Sequence, residues 1–336
     1  MNYAPLPEIE RIDRLTFEKE VRPAARPIVL RNLASDWPSV HAACHSTERG
    51  IDYLKQFSDM RAVAAILGEP EIAGRFFYTP DLKGLNFVRG QTPLPPFLDR
   101  LLRDRDSPRP YAMAIQSVPL PDILPGFMAE NPISLMSSDV VPRIWLGNAI
   151  RVATHYDLME NIGVVVMGRR KFTLFPPDQI ANLYMGPLEL TPAGTPISLV
   201  DPDAPDLERF PRFVNAARVA QSAILGPGDA IYIPFHWWHA VESLEPVNAF
   251  VNYWWNPAPV EMGNPYDALL HALVTIGSLS SDQREVYRLL FDHFVFRRNG
   301  DPAAHLPDDA KGVLGPPDAT TAARMRATLL DSFTRG

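Results

Sequence analysis

Proline is the residue that most constrains this chain. It supplies 35 of the 336 residues and is spread along the whole length, with pairs at 95–96 and 176–177 and no single proline-rich linker. Because proline fixes φ and cannot continue a helix or a sheet ladder, this distribution predicts many short elements joined by rigid turns. The chain shows no internal repeat or low-complexity tract, and its 46% of hydrophobic residues suffice for a globular core.

The first part of the chain, residues 1–110, mixes strand and helix patterns. Arg26–Leu33 predicts a strand, and Leu94–Asp104 predicts a helix. A further helix is predicted over Thr47–Phe57, with Ser46 or Thr47 itself as its N-cap. We therefore expect a mixed α/β region packed on the domain that follows.

The remaining two regions differ sharply in pattern. Residues 111–258 carry short β-branched or aromatic segments bounded by Gly and Pro, which predicts a β-rich core domain. Residues 259–336 carry apolar residues at helical spacing, and only His293–Phe296 resembles a strand. The expected fold class is mainly β with flanking helices (α+β), ending in a helical appendage.

Composition excludes several classes of protein. A net charge of −7 gives no basic footprint for nucleic acid or an anionic membrane, and no apolar stretch approaches the roughly 20 residues that span a bilayer. Cys44 is the only cysteine, so disulfides within the chain and thiolate metal clusters are excluded. We expect a soluble, cytoplasmic protein without nucleic-acid or membrane partners, in which any metal is held by His, Asp and Glu.

A His-x-Asp pair, His155 and Asp157, opens an apolar run that predicts two buried strands. Side chains at i and i+2 of a strand project to the same face, so both groups can reach one ion, and Asn161 shares their parity. In the next strand Arg170 shares a face with Phe172 and Leu174. A buried guanidinium there requires an anionic partner from the protein or from a ligand.

A third ligand is predicted from the stretch Leu225–Leu244. It combines a Gly-Pro-Gly-Asp turn, a short strand and two histidines, His236 and His239. Two histidines and one carboxylate form the facial arrangement of non-haem Fe(II) oxygenases. A His-x-Asp pair also arises by chance in solvated or capping roles, so the metal hypothesis depends on these pieces together.

Several segments, in order, carry a resemblance to a known family: HYD, FTLFPPDQ, DPDAPDLERFPRF, GPGDAIYIPFHWWHAVESL and VNYWW. Through them the region from about Arg143 to Pro257 resembles the JmjC branch of the cupin superfamily. The similarity is greatest to the cupin-like hydroxylases related to the asparaginyl hydroxylase that inhibits hypoxia-inducible factor. It implies a double-stranded β-helix (jelly-roll) core, Fe(II) as the metal and 2-oxoglutarate as co-substrate.

The resemblance also implies roles for individual residues. The implied iron ligands are His155, Asp157 and His239, while His236 falls at a non-ligating position. Arg170 stands where the family has the lysine that pairs with the distal carboxylate of 2-oxoglutarate, and Val152 replaces a threonine that bonds the co-substrate. Further contacts to co-substrate or metal are implied for Asn161 and Asn252, and Tyr111 either shares the carboxylate with Arg170 or packs as a core aromatic. Thr154 is the neighbour that can compensate for Val152, and Trp254 has the strand parity of Asn252 and is therefore expected to approach the cavity.

The function implied is hydroxylation by O₂ of a protein or peptide side chain, or of a small molecule, with succinate and CO₂ as co-products. Two alternatives stay open: a catalytically impaired JmjC-like module that senses 2-oxoglutarate or metal, and a cupin metal enzyme that does not use 2-oxoglutarate. Apolar residues after Tyr266, among them Leu269, Leu270, Leu273 and Val274, predict a homodimer interface or packing on the chain's own barrel.

Overall fold

The computed structural model describes residues 1–256, 263–316 and 318–334. Its strands are Ala4–Pro5 (β1), Glu8–Glu10 (β2), Ile28–Arg31 (β3), Ala62–Gly68 (β4), Arg75–Phe76 (β5), Phe87–Pro93 (β6), Ala112–Pro119 (β7), Arg143–Gly147 (β8), Arg151–His155 (β9), Glu160–Met167 (β10), Arg170–Phe175 (β11), Gln221–Leu225 (β12), Ala230–Ile233 (β13), Trp238–Ser243 (β14) and Asn248–Trp255 (β15). Its α-helices are Arg14–Thr16 (α1), Pro38–His45 (α2), Thr47–Lys55 (α3), Leu94–Arg103 (α4), Leu120–Ile123 (α5), Phe127–Glu130 (α6), Phe213–Val219 (α7), Pro265–Thr275 (α8), Ser281–Phe294 (α9) and Ala319–Thr334 (α10).

Two sheets form the core of the fold. The smaller has six strands in the order β1-β12-β11-β14-β9-β5, and the larger has nine in the order β2-β3-β13-β10-β15-β8-β7-β4-β6. Their inner faces meet in one apolar cluster, in which Phe172 and Leu174 of the smaller sheet pack with Val165, Ile231 and Phe250 of the larger. These sheets and their flanking helices confirm the predicted jelly-roll, α+β fold.

The outer face of the larger sheet carries a second and more extensive core. Ile162, Val164 and Tyr232 project from it and pack with residues of α2, α3 and α4, such as Ile51 and Leu98. The alternation along β10 explains this two-sided burial, since every residue of that strand is buried. The larger sheet thus packs against helices on its outer face and against the smaller sheet on its inner face.

The predicted N-terminal elements are confirmed. The expected strand appears as β3 and the two helices as α3 and α4, and Ser46 is the cap of α3, its hydroxyl accepting from the backbone N–H of Arg49 at 3.2 Å. Strands from this region are hydrogen-bonded into both sheets, because β1 pairs with β12 and β3 with β13. Residues 1–255 accordingly form one compact unit, and the described residues from 256 onward form a second.

The strand predicted over His293–Phe296 is wrong. Helix α9 runs through Phe294 and begins with a capping box between Ser280 and Gln283. Apolar residues recur along α9 at helical spacing, and this periodicity outweighs the β preference of a four-residue apolar run. Within the part of the chain that the structure describes, no helix combines the length and the apolar character needed to cross a bilayer.

Candidate metal centre and cavity

Strand pairing brings the three predicted ligands together. His155 ends β9 and lies directly opposite His239 of β14 in the antiparallel ladder, and Asp157 follows two residues after β9 ends. One ligand atom from each of the three lies within 4.8 Å of the others. The ring centroids of the two histidines are 4.3 Å apart, and His239 Nε2 lies 3.7 Å from Asp157 Oδ2. The group is therefore compact enough to surround one ion.

Both imidazoles are set in the tautomer that a metal requires. His155 Nδ1 lies 2.9 Å from the carbonyl oxygen of Ala153, and His239 Nδ1 lies 3.0 Å from that of Trp237. Because a carbonyl oxygen only accepts, each Nδ1 carries the proton and each Nε2 keeps its lone pair for a ligand. Burial, together with the neighbouring His239, holds the pKa of His155 well below its usual value, so its ring is neutral.

The carboxylate of Asp157 is fixed on one side only. Its Oδ2 accepts from Asn161 Nδ2 at 3.0 Å and from Trp254 Nε1 at 3.1 Å. Its Oδ1 receives no hydrogen bond recorded among the described residues, so it can coordinate. Two imidazoles with Nδ1 bound to a carbonyl oxygen and one carboxylate are the donor set of a non-haem Fe(II) facial triad, so the residues present fit this metal.

A cavity of about 520 Å³ opens from these ligands. Its walls come from both sheets and from the segment 191–197, and they are mostly apolar, with Phe76, Trp145 and Trp254 as the aromatic residues. Arg89 is the only cation among the described residues that line it, and Asp157 is the only carboxylate. A cavity of this size and chemistry suits a small molecule or one side chain of a larger substrate.

Arg170 lies where strand parity predicts. It is 5% exposed, and its guanidinium carbon lies 4.8 Å from the centre of the Phe250 ring. Gly163 makes this packing possible, because a Cβ at that position would lie 2.0 Å from the Phe250 ring. Arg170 Nε is buried without a hydrogen-bond partner, and burial lowers the pKa of the guanidinium.

Two protein carboxylates that could pair with Arg170 pair with other cations. Asp229 binds the guanidinium of Arg31 at 2.6 Å, and Glu242 lies 3.8 Å from Lys171 Nζ. No ion pair of Arg170 occurs among the described residues, so its buried charge is not neutralised by a described carboxylate.

Of the predicted co-substrate residues, only Trp254 lines the cavity, and Arg170, Asn161, Asn252, Tyr111 and Thr154 do not. Tyr111 precedes β7, is 39% exposed, and its ring contacts the guanidinium of Arg100 at 5.4 Å. Thr154 alternates with His155 along β9 and is not among the residues that line the cavity. Val152 does line it, so the residue that departs from the family threonine faces the cavity.

The other predicted site residues are connected to the ligands. Asn252 Nδ2 donates to Asn161 Oδ1 at 3.2 Å, and Trp254 contacts Asp157 directly. His236 is not part of the metal-binding group. It is half-buried with a φ of +60° and stacks on Phe235, and burial lowers its pKa. Its position agrees with the predicted non-ligating role.

Sequence reasoning missed several cavity residues. Trp145 was not singled out, although its position on β8 faces the cavity and its indole N–H reaches Asn252. Arg89 and Gln116 also line the cavity and were not predicted. Arg89 lies on β6, the edge strand of the larger sheet, and Gln116 lies on β7. The alternation in β8 could have placed Trp145 on one face, but only the strand order identifies which face it is.

Comparison with known proteins adds independent evidence on the family of this chain. The sequence matches a family model described as a cupin-like domain over residues 14–261. It is 37% identical over 271 residues to lysine-specific demethylase JMJ31 of Arabidopsis thaliana, covering 71% of this chain and 47% of the demethylase. It is 24% identical over 318 residues to tRNA wybutosine-synthesizing protein 5 of Gallus gallus, covering 84% of this chain and 91% of that protein.

A shorter similarity involves HSPB1-associated protein 1 of Homo sapiens, at 37% identity over 115 residues. It covers 33% of this chain and 22% of that protein. The chain thus spans about a quarter of this relative and about half of the demethylase.

Proposed function

We propose, since this chain belongs to the cupin-like domain family of JmjC type, that it is an Fe(II)- and 2-oxoglutarate-dependent dioxygenase that hydroxylates its substrate. The observation that carries the proposal is the group His155, Asp157 and His239, with both Nε2 atoms and one carboxylate oxygen free to coordinate. These three residues would hold the iron. With 2-oxoglutarate bound, the iron would couple oxidative decarboxylation to succinate and CO₂ with transfer of one oxygen atom from O₂ to the substrate.

Arg170 supports the use of 2-oxoglutarate in particular. It is a buried cation on the inner face of β11, where Leu174 lies opposite the ligand His239. The four residue steps from Arg170 to Leu174 span about 13 Å along a strand, a distance that a long guanidinium side chain and a five-carbon dicarboxylate together can bridge. We infer that Arg170 pairs with the distal carboxylate, offering a bidentate fork where the family has a lysine.

The cavity favours hydroxylation of an uncharged or anionic group. A methylated lysine is a cation, and on approaching the iron it would meet Arg89, with no lining carboxylate among the described residues other than the ligand Asp157. The relative named a lysine-specific demethylase therefore does not decide the reaction of this chain. We propose a neutral or acidic side chain of a protein or peptide, or a small molecule of similar character, as the substrate.

A tRNA nucleoside is the second candidate substrate. The observation in its favour is that the relative named tRNA wybutosine-synthesizing protein 5 aligns over 91% of its own length. Against it stands the net charge of −7, which disfavours a polyanionic partner unless a local basic surface receives it. A non-catalytic sensor of 2-oxoglutarate or metal, and a cupin metal enzyme that does not use 2-oxoglutarate, are the remaining alternatives.

One experiment separates these possibilities. The protein is incubated with Fe(II), 2-oxoglutarate and ¹⁸O₂ in a cell lysate, with His155→Ala as the control, and succinate, peptides and RNA nucleosides are each analysed by mass spectrometry. We expect His155-dependent succinate and a gain of one ¹⁸O atom in a peptide or small molecule. Labelled nucleosides would instead select tRNA, whereas binding of 2-oxoglutarate without succinate would select the sensor.

We also propose that the helices from α8 onward form a homodimer interface. Leu269, Leu270, Leu273 and Val274 of α8 are 41–76% exposed, and this apolar surface requires a partner. Light scattering at micromolar concentration should give twice the mass of the chain. A strict monomer would contradict the dimer without affecting the proposed chemistry.

A further inference from the structure

Four side chains form a hydrogen-bond chain that ends on the carboxylate ligand. Trp145 Nε1 donates to Asn252 Oδ1 at 2.7 Å, and Asn252 Nδ2 donates to Asn161 Oδ1 at 3.2 Å. Asn161 Nδ2 then donates to Asp157 Oδ2 at 3.0 Å. Every step runs in the same direction, from the indole toward the metal centre.

The direction of this chain is set at both ends, because it starts at an indole that only donates and ends at a carboxylate that only accepts. An indole N–H only donates, whereas an amide side chain has one accepting end and one donating end. Trp145 therefore fixes Asn252 with its oxygen toward the indole and its NH₂ toward Asn161. The orientation of Asn252 in turn fixes Asn161 with its NH₂ toward the carboxylate of Asp157.

Burial makes an inverted orientation costly. Asn161 is 5% exposed and Asn252 is 1% exposed, so water does not replace a lost partner. An inverted Asn252 would place its NH₂ against the indole N–H and leave a buried donor unsatisfied, which costs about 1–3 kcal/mol. Two neutral amides alone could be exchanged between orientations, but the donor-only indole at one end and the acceptor-only carboxylate at the other remove this freedom.

Trp145 is held in place independently of the amides. On β8 it lies opposite Phe250 of β15, and its ring meets that of Trp254 edge-to-face with centroids 5.8 Å apart. Trp254 is the second donor to Asp157 Oδ2. The two indoles thus form a rigid aromatic pair, one acting directly on the carboxylate and the other through two amides.

We infer that Trp145 is a positioning residue for the metal centre. With its indole N–H at the head of the chain, it helps to hold Asp157 Oδ2 against its donors, so that the carboxylate keeps one orientation toward the two histidines. The inference rests on the proposed function only in requiring that His155, Asp157 and His239 hold a divalent metal.

The test replaces Trp145 with phenylalanine, which keeps an aromatic ring and removes the donor. Co(II) serves as the probe, and its dissociation constant and visible absorption are measured on the whole protein without any co-substrate. We expect Trp145→Phe to raise the Co(II) dissociation constant about tenfold, the scale for losing an outer partner of a metal ligand. The absorption band should also change, because Asp157 can then rotate and bind through both oxygens.

A matched control uses Trp37, which is 2% exposed and donates to the carbonyl oxygen of Pro132 at 2.7 Å. Trp37→Phe removes an equally short, buried indole hydrogen bond within the helical core cluster, so it should lower the melting temperature and leave Co(II) binding unchanged. If both variants weaken Co(II) binding equally, the effect is general destabilisation and the inference is overturned.

A double substitution tests the route through the amides. In an Asn161→Ala background the chain is already broken, so adding Trp145→Phe should change the Co(II) dissociation constant less than about twofold. If the two substitutions change the Co(II) dissociation constant additively, Trp145 does not act through Asn161 and the inference is overturned. If the wild type shows no His155-dependent Co(II) binding, the metal centre and with it the proposed function fail; normal wild-type binding that Trp145→Phe leaves unchanged overturns the inference about Trp145 alone.

Discussion

The cations on the two faces of strand β11 differ in whether a protein carboxylate pairs with them. On the outer face, Lys171 contacts the carboxylates of Asp203 and Glu242, and Arg151 of β9 pairs with Asp201 at 3.2 Å. On the inner face the adjacent Arg170 is buried and has no carboxylate partner among the described residues. One residue along the same strand separates a cation neutralised by the chain from a cation that is not.

The ion pairs on the outer face and the unpaired cation on the inner face have opposite effects on the stability of the free protein. The outer network can stabilise the sheet without any ligand, although partly exposed pairs of this kind contribute only about 0–1 kcal/mol each. A buried cation without a partner destabilises the free protein. Under the proposed function, the distal carboxylate of 2-oxoglutarate would neutralise Arg170, whereas the outer face needs no ligand.

The largest effect should separate the two faces of β14. His239→Ala, like His155→Ala and Asp157→Ala, should abolish Fe(II)-dependent succinate formation because each removes a metal ligand. Glu242→Ala on the outer face of the same strand should retain activity, as should His236→Ala. Succinate release measured on folded protein decides this, and an inactive His236→Ala beside an active His239→Ala would show that the ligands were wrongly assigned.

The next effect compares neighbouring cations on β11. Arg170→Ala should weaken 2-oxoglutarate by about 2–5 kcal/mol, and so at least tenfold, the usual scale for truncating one partner of a buried charge pair. Lys171→Ala should leave the affinity within about twofold, since Lys171 already pairs with protein carboxylates. Anaerobic titration of Mn(II)-loaded protein gives both values. Equal affinities of wild type and Arg170→Ala for 2-oxoglutarate would contradict the proposal that Arg170 binds its distal carboxylate.

A smaller effect is expected for Arg170→Lys. Lysine keeps the charge but loses the bidentate fork and has a shorter reach. The affinity for 2-oxoglutarate should therefore fall between those of the wild type and Arg170→Ala in the same titration. An affinity no better than that of alanine would mean that the geometry of the fork, and not the charge, is what the site requires.

The smallest effect concerns stability without ligands. Arg170→Met replaces an unpaired buried cation by an apolar side chain of similar length, so it should raise the melting temperature of the ligand-free protein. At about 1 kcal/mol the shift is roughly 2–4 °C. Lys171→Met should give no such gain, and 2-oxoglutarate should stabilise the wild type but not Arg170→Met. A lower melting temperature for Arg170→Met would show that the guanidinium stabilises the free fold.

Local periodicity was enough to predict part of the site. The alternation of a strand places His155 with Asp157 and Arg170 with Phe172, and neither conclusion requires knowledge of the fold. The same reasoning could not find the contact between His155 and His239, since that depends on which strands become neighbours. The resemblance to a family supplied this information for the ligands.

Family resemblance was less reliable for Tyr111, which lies outside the strands that carry the candidate metal ligands. Tyr111 was expected near the co-substrate, but β7 begins one residue later, and Tyr111 lies at the surface against Arg100. Trp145 was missed because its value lies in a hydrogen bond to Asn252 across two paired strands. The sequence around Trp145 does not reveal that its indole N–H donates to Asn252.

The early strands of the chain have partners that arrive very late. Ala4 of β1 lies opposite Gln221 of β12, and Val29 of β3 lies opposite Ile231 of β13, each about two hundred positions away. During synthesis on the ribosome, β1 and β3 must therefore wait without these partners until most of the chain has been translated. Such a high contact order slows folding and exposes unpaired strand edges to other chains. Yield on expression should consequently depend on translation speed and chaperone supply more than on the stability of the finished protein.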